Sequence, residues 1–150
     1  VLAEVYDAPV GDPTARLMNL SSRGQVSVGE DSLIAGVVIG GTQGTRLLLR
    51  AVGPGLRPWG AEGVLEHPML SFFARQTERQ VLIGANAGWT SGGLQKELAF
   101  AAQLVAAFPL AAPSTDCAMI VTVEPGNYTV QVSGVGGTTG EALVEIYVLP

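Results

Sequence analysis

Apolar and polar residues alternate strictly in residues 128–133, whose sequence is YTVQVS. A period of two places each set on one side of a strand, which predicts a half-buried strand of an antiparallel sheet. The preceding residues 117–124 are apolar at nearly every position, which predicts a strand covered on both faces and central in its sheet. Residues 124–127, EPGN, have the composition of a tight turn, because proline presets φ and glycine tolerates a positive φ. We therefore expect a hairpin at this link.

Short segments with the same character recur along the whole chain and are separated by turns that contain glycine or proline. The predicted strands are residues 1–7, 16–22, 32–40, 45–52, 69–75, 80–86, 117–124, 127–133 and 141–149. Together they predict a mainly β protein, specifically a jelly-roll-like antiparallel β-sandwich of about nine strands with one short helix.

The predicted helix is the one segment that departs from this alternation. Apolar residues in 94–108 follow the 3.6-residue spacing of an amphipathic helix, with Thr90 or Ser91 as candidate caps and Pro109 as the terminator. We expect this helix to cover an open end of the sheets. Residues 53–68, rich in glycine and proline, are predicted to form a long ordered loop.

Composition excludes several classes of protein. The chain has 150 residues, of which 47% are apolar and 14% charged, so it is too hydrophobic to be disordered. The longest uncharged apolar run, residues 98–110, falls short of the ~18 residues that a membrane-spanning helix needs. One cysteine cannot form an intramolecular disulfide, and one histidine excludes a multi-histidine zinc site. A net charge of −5 argues against nucleic acid as a partner, and no metal or cofactor is expected.

Charged residues are sparse compared with the ~25% of an average domain. Either the surface is unusually poor in charge or a neighbouring molecule covers part of it.

Two segments of the sequence are near copies of each other. Residues 2–9 read LAEVYDAP and residues 143–150 read LVEIYVLP, so that leucine, glutamate, tyrosine and proline are identical at corresponding positions. A sequence is expected to contain the same strand twice when two positions of the same kind in a β-sheet, which we call slots, are each filled by one copy. In a tandem array, the first copy closes the preceding module and the second closes this one. Alternatively, the terminal strand of each subunit enters or extends the sheet of a neighbour, which builds a head-to-tail filament.

A third interpretation places both copies in one domain as edge strands that have similar packing requirements. Under the strand-sharing interpretation, residues 1–9 are a linking or donor strand and residues 10–150 are the β-sandwich domain. The predicted subunit-interface residues are Leu2, Glu4, Val5 and Tyr6 on the entering strand and Leu143, Glu145, Ile146 and Tyr147 in the receiving domain.

Catalytic motifs are weak in this sequence. His67 and Cys117 could form a nucleophilic pair, but the apolar strand around Cys117 predicts a buried, unreactive thiol. A serine triad would depend on His67 as its base, and the Gly-x-Ser-x-Gly turn is missing from the sequence. Adjacent Glu30 and Asp31 fit a solvated turn. We therefore predict a protein that is not an enzyme.

Trp59 and Trp89 are the candidate ligand-binding residues, because tryptophan rings stack on sugars. The alternative is that both rings anchor loops or the core.

Several stretches resemble a module that is repeated in large secreted and surface proteins of bacteria. These stretches are residues 16–24, 33–40, 50–54, 125–134 and 140–147, which extend over nearly the whole chain.

The last third also resembles the pre-peptidase C-terminal β-sandwich of secreted peptidases, through its PGNY sequence at residues 125–128. That family often binds calcium through clustered acids, and the comparable residues 86–89 contain none, so calcium is not expected here. Both resemblances imply an extracellular or cell-surface protein.

These observations predict a non-enzymatic extracellular structural protein. It assembles into a filament or linear array by head-to-tail strand sharing, and its partners are copies of itself or adjacent modules. The alternative function is an accessory carbohydrate- or matrix-binding domain of a secreted protein, for which we expect an exposed row of aromatic side chains.

Overall fold

A computed structural model of the chain describes residues 17–29 and 31–150, so the strand predicted at residues 1–7 lies outside the described residues. The described strands are β1 Asn19–Val26, β2 Leu33–Ile39, β3 Thr45–Val52, β4 Pro68–Gln76, β5 Arg79–Asn86, β6 Cys117–Val123, β7 Gly126–Gly134 and β8 Gly140–Val148. The helix α1 spans Gln95–Leu104, and two 3-10 helices span Pro54–Trp59 and Val135–Gly137.

The eight strands form two antiparallel sheets of four strands each. The first sheet has the order β1-β8-β3-β6 and the second has the order β2-β7-β4-β5. Within the described residues, β4 and β5 are the only consecutive strands that pair with each other. All other connections cross between the sheets, which is the arrangement of a jelly roll. The predicted antiparallel β-sandwich is confirmed.

The hairpin predicted at residues 124–127 is wrong. β6 pairs with β3 in the first sheet, whereas β7 pairs with β2 and β4 in the second, so this link carries the chain from one sheet to the other. The Tyr128 hydroxyl donates a hydrogen bond of 2.7 Å to the Glu124 carbonyl and fixes the crossing. Turn residues reverse the chain locally, but they do not determine which strand becomes the neighbour.

The main core lies between the two sheets. The predicted alternation of β7 is confirmed, because Val130 and Val132 are fully buried while Gln131 between them is only half-buried. Phe72 of β4 is also fully buried and stacks on Tyr128 with ring centroids 5.4 Å apart.

Among the described strands, β6 lies at the edge of the first sheet, which corrects its prediction as a central strand. Its second apolar face is explained by α1, which packs on the outer face of this sheet rather than over an open end of the sandwich. Leu98 and Ala101 of the helix contact the same cluster as Leu48 of β3 and Ala118 of β6. β6 is therefore apolar on both faces because the core lies on one face and α1 on the other, and not because it has a neighbouring strand on each side.

The helix is shorter than the sequence predicts and has a different start. Leu94 occupies the N-cap position without a side-chain cap, so neither Thr90 nor Ser91 serves as one. The helix ends at Leu104 because Ala106 adopts a left-handed conformation with φ of 54°, ahead of Pro109. The chain then continues across the outer face of the first sheet.

Residues 53–68 form an ordered loop, as predicted, which contains the first 3-10 helix. The loop is tied to the start of β8, because the Leu65 amide donates 2.8 Å to the Glu141 carbonyl and the Glu141 amide donates 2.9 Å to the Gly63 carbonyl. Gly53 is required by close packing, since a Cβ atom there would lie 2.0 Å from the Leu65 carbonyl oxygen.

Candidate functional site

β8, which contains the repeated sequence, is an inner strand of the first sheet. It pairs with β1 along one side and with β3 along the other. Ile146 faces the core between the sheets and is 3% exposed. Glu145 and Tyr147 face the opposite side, where they are also buried. Leu143, half-buried, packs on the same outer side near Val52. The edge-strand interpretation of this segment is therefore wrong, because β8 has no unpaired side.

An ion pair lies buried under the cover of the first sheet. Arg50 of β3 stands directly opposite Glu145 of β8 in the strand register. Arg50 Nε and Glu145 Oε2 are 3.1 Å apart, and the two side chains are 1% and 4% exposed. The Tyr147 hydroxyl donates a 2.7 Å hydrogen bond to Glu145 Oε1. Glu145 therefore pairs with Arg50, and Tyr147, two residues further along β8, holds the carboxylate in place.

Phe108 closes this site from above. Its ring centroid lies 4.4 Å from Arg50 Cζ, which is a cation–π contact, and its carbonyl accepts a 2.9 Å hydrogen bond from Arg50 Nη1. We call Arg50, Phe108, Glu145 and Tyr147 the Arg50 cluster. All four lie on the outer side of the first sheet, between the strands and the segment that follows α1.

Burial changes the acid–base properties of the Arg50 cluster. Desolvation lowers the pKa of Arg50, and the neighbouring Glu145 carboxylate opposes this effect. Desolvation also raises the pKa of Tyr147 to about 12, and the hydrogen bond to Glu145 acts in the same direction. At neutral pH the tyrosine is therefore protonated and able to donate to the carboxylate.

Hydrogen bonding in the Arg50 cluster is incomplete. Among the described residues, Arg50 Nε, Arg50 Nη2 and Glu145 Oε2 have no hydrogen-bond partner, although Nε and Oε2 lie within ion-pair distance. Such groups depend on their opposite charge, because a buried charge that loses its partner is strongly destabilised. A strand that lacked a carboxylate at this position would leave the guanidinium uncompensated.

The sequence prediction included Glu145 and Tyr147 but missed Arg50 and Phe108. A signal for Arg50 was present, because a single arginine interrupts the apolar run of β3, LLLRAV. Phe108 carried no such signal, since its position depends on where the chain leaves α1.

The other copy of the repeat lies outside the described residues. By sequence position, Leu2, Glu4, Val5 and Tyr6 correspond to Leu143, Glu145, Ile146 and Tyr147. This copy therefore contains the residue type that pairs with Arg50 and, at the same spacing, the residue type that donates to that carboxylate. Its role as an entering strand stays a prediction.

A groove of about 610 Å³ lies beside the Arg50 cluster, between the first 3-10 helix and the segment after α1. Trp59 lines this groove and is 67% exposed, with its ring edge-on to Phe108 at 5.8 Å. Trp89 is 5% exposed and its indole nitrogen donates a 3.0 Å hydrogen bond to the Ala111 carbonyl. The structure therefore separates the two candidate ligand-binding residues, since Trp89 is buried and Trp59 is accessible.

The candidate nucleophiles are engaged in structural contacts. Cys117 is fully buried, as predicted, and its thiol donates to the Pro68 carbonyl at 3.1 Å. Desolvation raises the pKa of this thiol to about 12, so the thiolate is disfavoured. The Ser114 hydroxyl donates to Asp116, and both residues line the same groove as the exposed His67.

The buried Asp116 carboxylate also accepts the Gly53 and Gly55 amides at 2.8 and 3.1 Å. It thereby joins the loop after β3 to the start of β6.

The described residues contain no group of three or more His, Cys, Asp or Glu side chains arranged to hold a metal ion. Within the same residues, no helix has the length and apolar character needed to cross a membrane.

No protein-family model matches the sequence, and no curated protein matches it. Among solved structures, the chain is similar to a protein of Sulfurospirillum deleyianum that is known from its crystal structure. The two share 12% sequence identity with a TM-score of 0.44, over 89% of this chain and 98% of the other. A likeness this weak supports no inference about function. The β-sandwich fold is established by the strand order of the two sheets.

Proposed function

We propose that this chain is a non-enzymatic structural module of an extracellular array, in which copies of the same β-sandwich are joined head to tail by strands of the β8 type. The observation that carries the proposal is the position of β8 between β1 and β3. A strand with this pattern is suited to a place where both of its edges and both of its faces are covered. Residues 2–9 have the same pattern.

The described domain already contains its own strand of this type. Because β8 occupies the space between β1 and β3, a second copy must find an equivalent place elsewhere. We place it on an adjacent module, either in a slot that this module leaves open or along the edge of its sheet. Head-to-tail repetition of that contact need not close on itself, and an open repetition produces a linear assembly.

The low charge content and the resemblance to repeated modules of bacterial surface proteins support an extracellular structural role. With 14% charged residues, the chain has fewer ionic groups to keep copies apart than an average domain has. The resemblance concerns location and architecture and is independent of the contact itself.

Sedimentation velocity of the full chain and of a chain without residues 1–9 tests this proposal. We expect the full chain to form species of several times the monomer mass as its concentration rises, and the shortened chain to stay monomeric. Asp7→Asn in the full chain is the matched control, because position 7 differs between the two repeats and its change is expected to preserve assembly. A full chain that is monomeric at every concentration, or a shortened chain that assembles equally well, would refute the proposal.

Carbohydrate binding is a second candidate function, favoured by the exposed Trp59 in its groove. Arg57, Glu66 and His67 line the same groove and supply polar groups beside the ring. Titration with soluble polysaccharides, followed by isothermal titration calorimetry, tests this function. Binding that is lost in Trp59→Ala and kept in Lys96→Ala would support it. An unchanged signal with every polysaccharide, or binding that survives Trp59→Ala, would exclude this groove.

A further inference from the structure

The edge of β5 is open and apolar. Among the described residues, β5 pairs with β4 alone, so one of its sides has no neighbouring strand. Val81, Leu82 and Ile83 are 37%, 55% and 46% exposed, and residues 80–86 contain neither a charged side chain nor a proline. Such an edge accepts a further strand through its backbone groups. We infer that it receives residues 2–9 of a second copy of this chain.

The inference rests on the proposed function and names the receiving site of the array. Edge strands of soluble proteins are normally protected by charged side chains, proline or bulges, because an unprotected edge pairs with other chains. β5 has only a bulge, at Ile83, which leaves this side chain without a partner on β4 and exposed. The apolar surface of the edge is therefore available to a strand that covers it.

The position of β1 explains why the strand comes from another copy. β1 packs over β2 at one side of the sandwich, and β5 packs over β6 at the opposite side. The two sides are separated by three strand spacings, or about 14 Å. Because residues 2–9 precede β1, a copy placed beside this one brings them to the β5 edge. The contact then joins opposite sides of successive copies, which is a head-to-tail geometry, and the other edge of the docked strand faces the copy that supplies it.

The charges beside this edge are complementary to the segment. The segment has two carboxylates, Glu4 and Asp7, and no basic side chain. Arg75 and Arg79, at the turn between β4 and β5, are exposed and form no ion pair within the described part of the chain. With Glu78 between them, this turn keeps a positive net charge. Opposite charges steer the segment to this edge, while each exposed contact contributes little, so Asp7→Asn is still expected to assemble.

Leu82→Lys in the full chain tests the receiving edge, because a charge on an edge strand discourages pairing and this side chain is already exposed. We expect sedimentation velocity to show species of several times the monomer mass for the wild-type chain and the monomer for this variant. Val135→Lys is the matched control, since it adds the same charge at a residue that is 42% exposed and joins the inner strands β7 and β8. Equal mass distributions for Leu82→Lys and the wild-type chain, or equal losses for the two variants, would overturn the inference.

Chemical crosslinking identifies the segment that occupies the edge. Val5→Cys of one copy is mixed with Leu82→Cys of another and treated with a short bis-maleimide, which bridges neighbouring strands without requiring an exact register. Cys117 is fully buried and is not expected to react. We expect a covalent heterodimer, and none when Val135→Cys replaces Leu82→Cys. A missing heterodimer would overturn the inference, as would coupling of Leu82→Cys chains only to one another, which would mean that two β5 edges pair.

Failure of this inference is distinguishable from failure of the proposed function. If the chain without residues 1–9 is monomeric while Leu82→Lys still assembles, the array stands as a proposal and β5 is excluded as its receiver. If removing residues 1–9 leaves assembly unchanged, the proposed function fails and this inference fails with it.

Discussion

The outer faces of the two sheets differ in what covers them. The first sheet is covered by α1 and the segment after it, and beneath this cover lie Arg50 and Glu145. The outer face of the second sheet carries Ile34 and Val38, which are 58% and 75% exposed. Charged residues are therefore buried on one sheet while aliphatic residues are exposed on the other. The contrast teaches that cover, and not residue type, decides which side chains are buried in this fold.

The two faces have different energetic consequences. Single exposed aliphatic side chains are common on proteins and cost little. A buried ion pair is sensitive, because removing one partner leaves the other without compensation. Substitutions on the covered face should therefore have large effects, and matched substitutions on the open face should have small ones.

The largest expected effect comes from breaking the buried ion pair. Glu145→Ala is expected to lower the free energy of unfolding by about 3–5 kcal/mol, because Arg50 stays buried without its counter-ion. Urea unfolding measures the change. Glu141→Ala on the same strand is the control, since its ion pair with Arg23 is exposed to solvent and its loss should be clearly smaller. Equal losses for the two variants would contradict the contrast.

A somewhat smaller effect is expected at high pH. Burial raises the pKa of Tyr147 from 10.0 to about 12, so its stabilisation is complete below pH 10 and is lost as pH rises toward 12. Tyr147→Phe should therefore lose less stability than the wild-type chain between pH 10 and 12, as measured by urea unfolding at each pH.

Cys117, whose pKa burial raises to about 12, titrates in both proteins and cancels in this comparison. A wild-type chain that follows the same pH curve as Tyr147→Phe would show that the phenol is not held neutral by the Arg50 cluster.

The smallest effect is expected on the open face. Val38→Thr should change the free energy of unfolding by no more than about 0.5 kcal/mol, because the side chain is already in water. Val52→Thr is the matched change on the covered face, where the residue is fully buried and a hydroxyl without a partner costs about 1–3 kcal/mol. A large loss for Val38→Thr would indicate that the second sheet is covered in solution.

The elements of the fold could be predicted from the sequence because their signals are local. β3 was predicted at residues 45–52 and is observed at Thr45–Val52, since its apolar run is bounded by turn residues. Pairing is not local. In this topology most consecutive strands lie in opposite sheets, so the hairpin at residues 124–127 and the central position of β6 were both wrong.

The candidate site could be predicted only in part. The repeat identified Glu145 and Tyr147 as a pair, because both occur in two segments of the sequence. It did not identify Arg50, which comes from another strand and faces them only through the register of β3 and β8. Trp59 and Trp89 illustrate the same limit, since their different burial depends on how the chain leaves α1.

The mass of the full chain in solution, compared with that of a chain without residues 1–9, tests the account most directly. Sedimentation velocity should show species of several times the monomer mass for the full chain as its concentration rises, and a monomer for the shortened chain. Identical mass distributions for the two chains, whether both are monomeric or both assemble, would contradict the account.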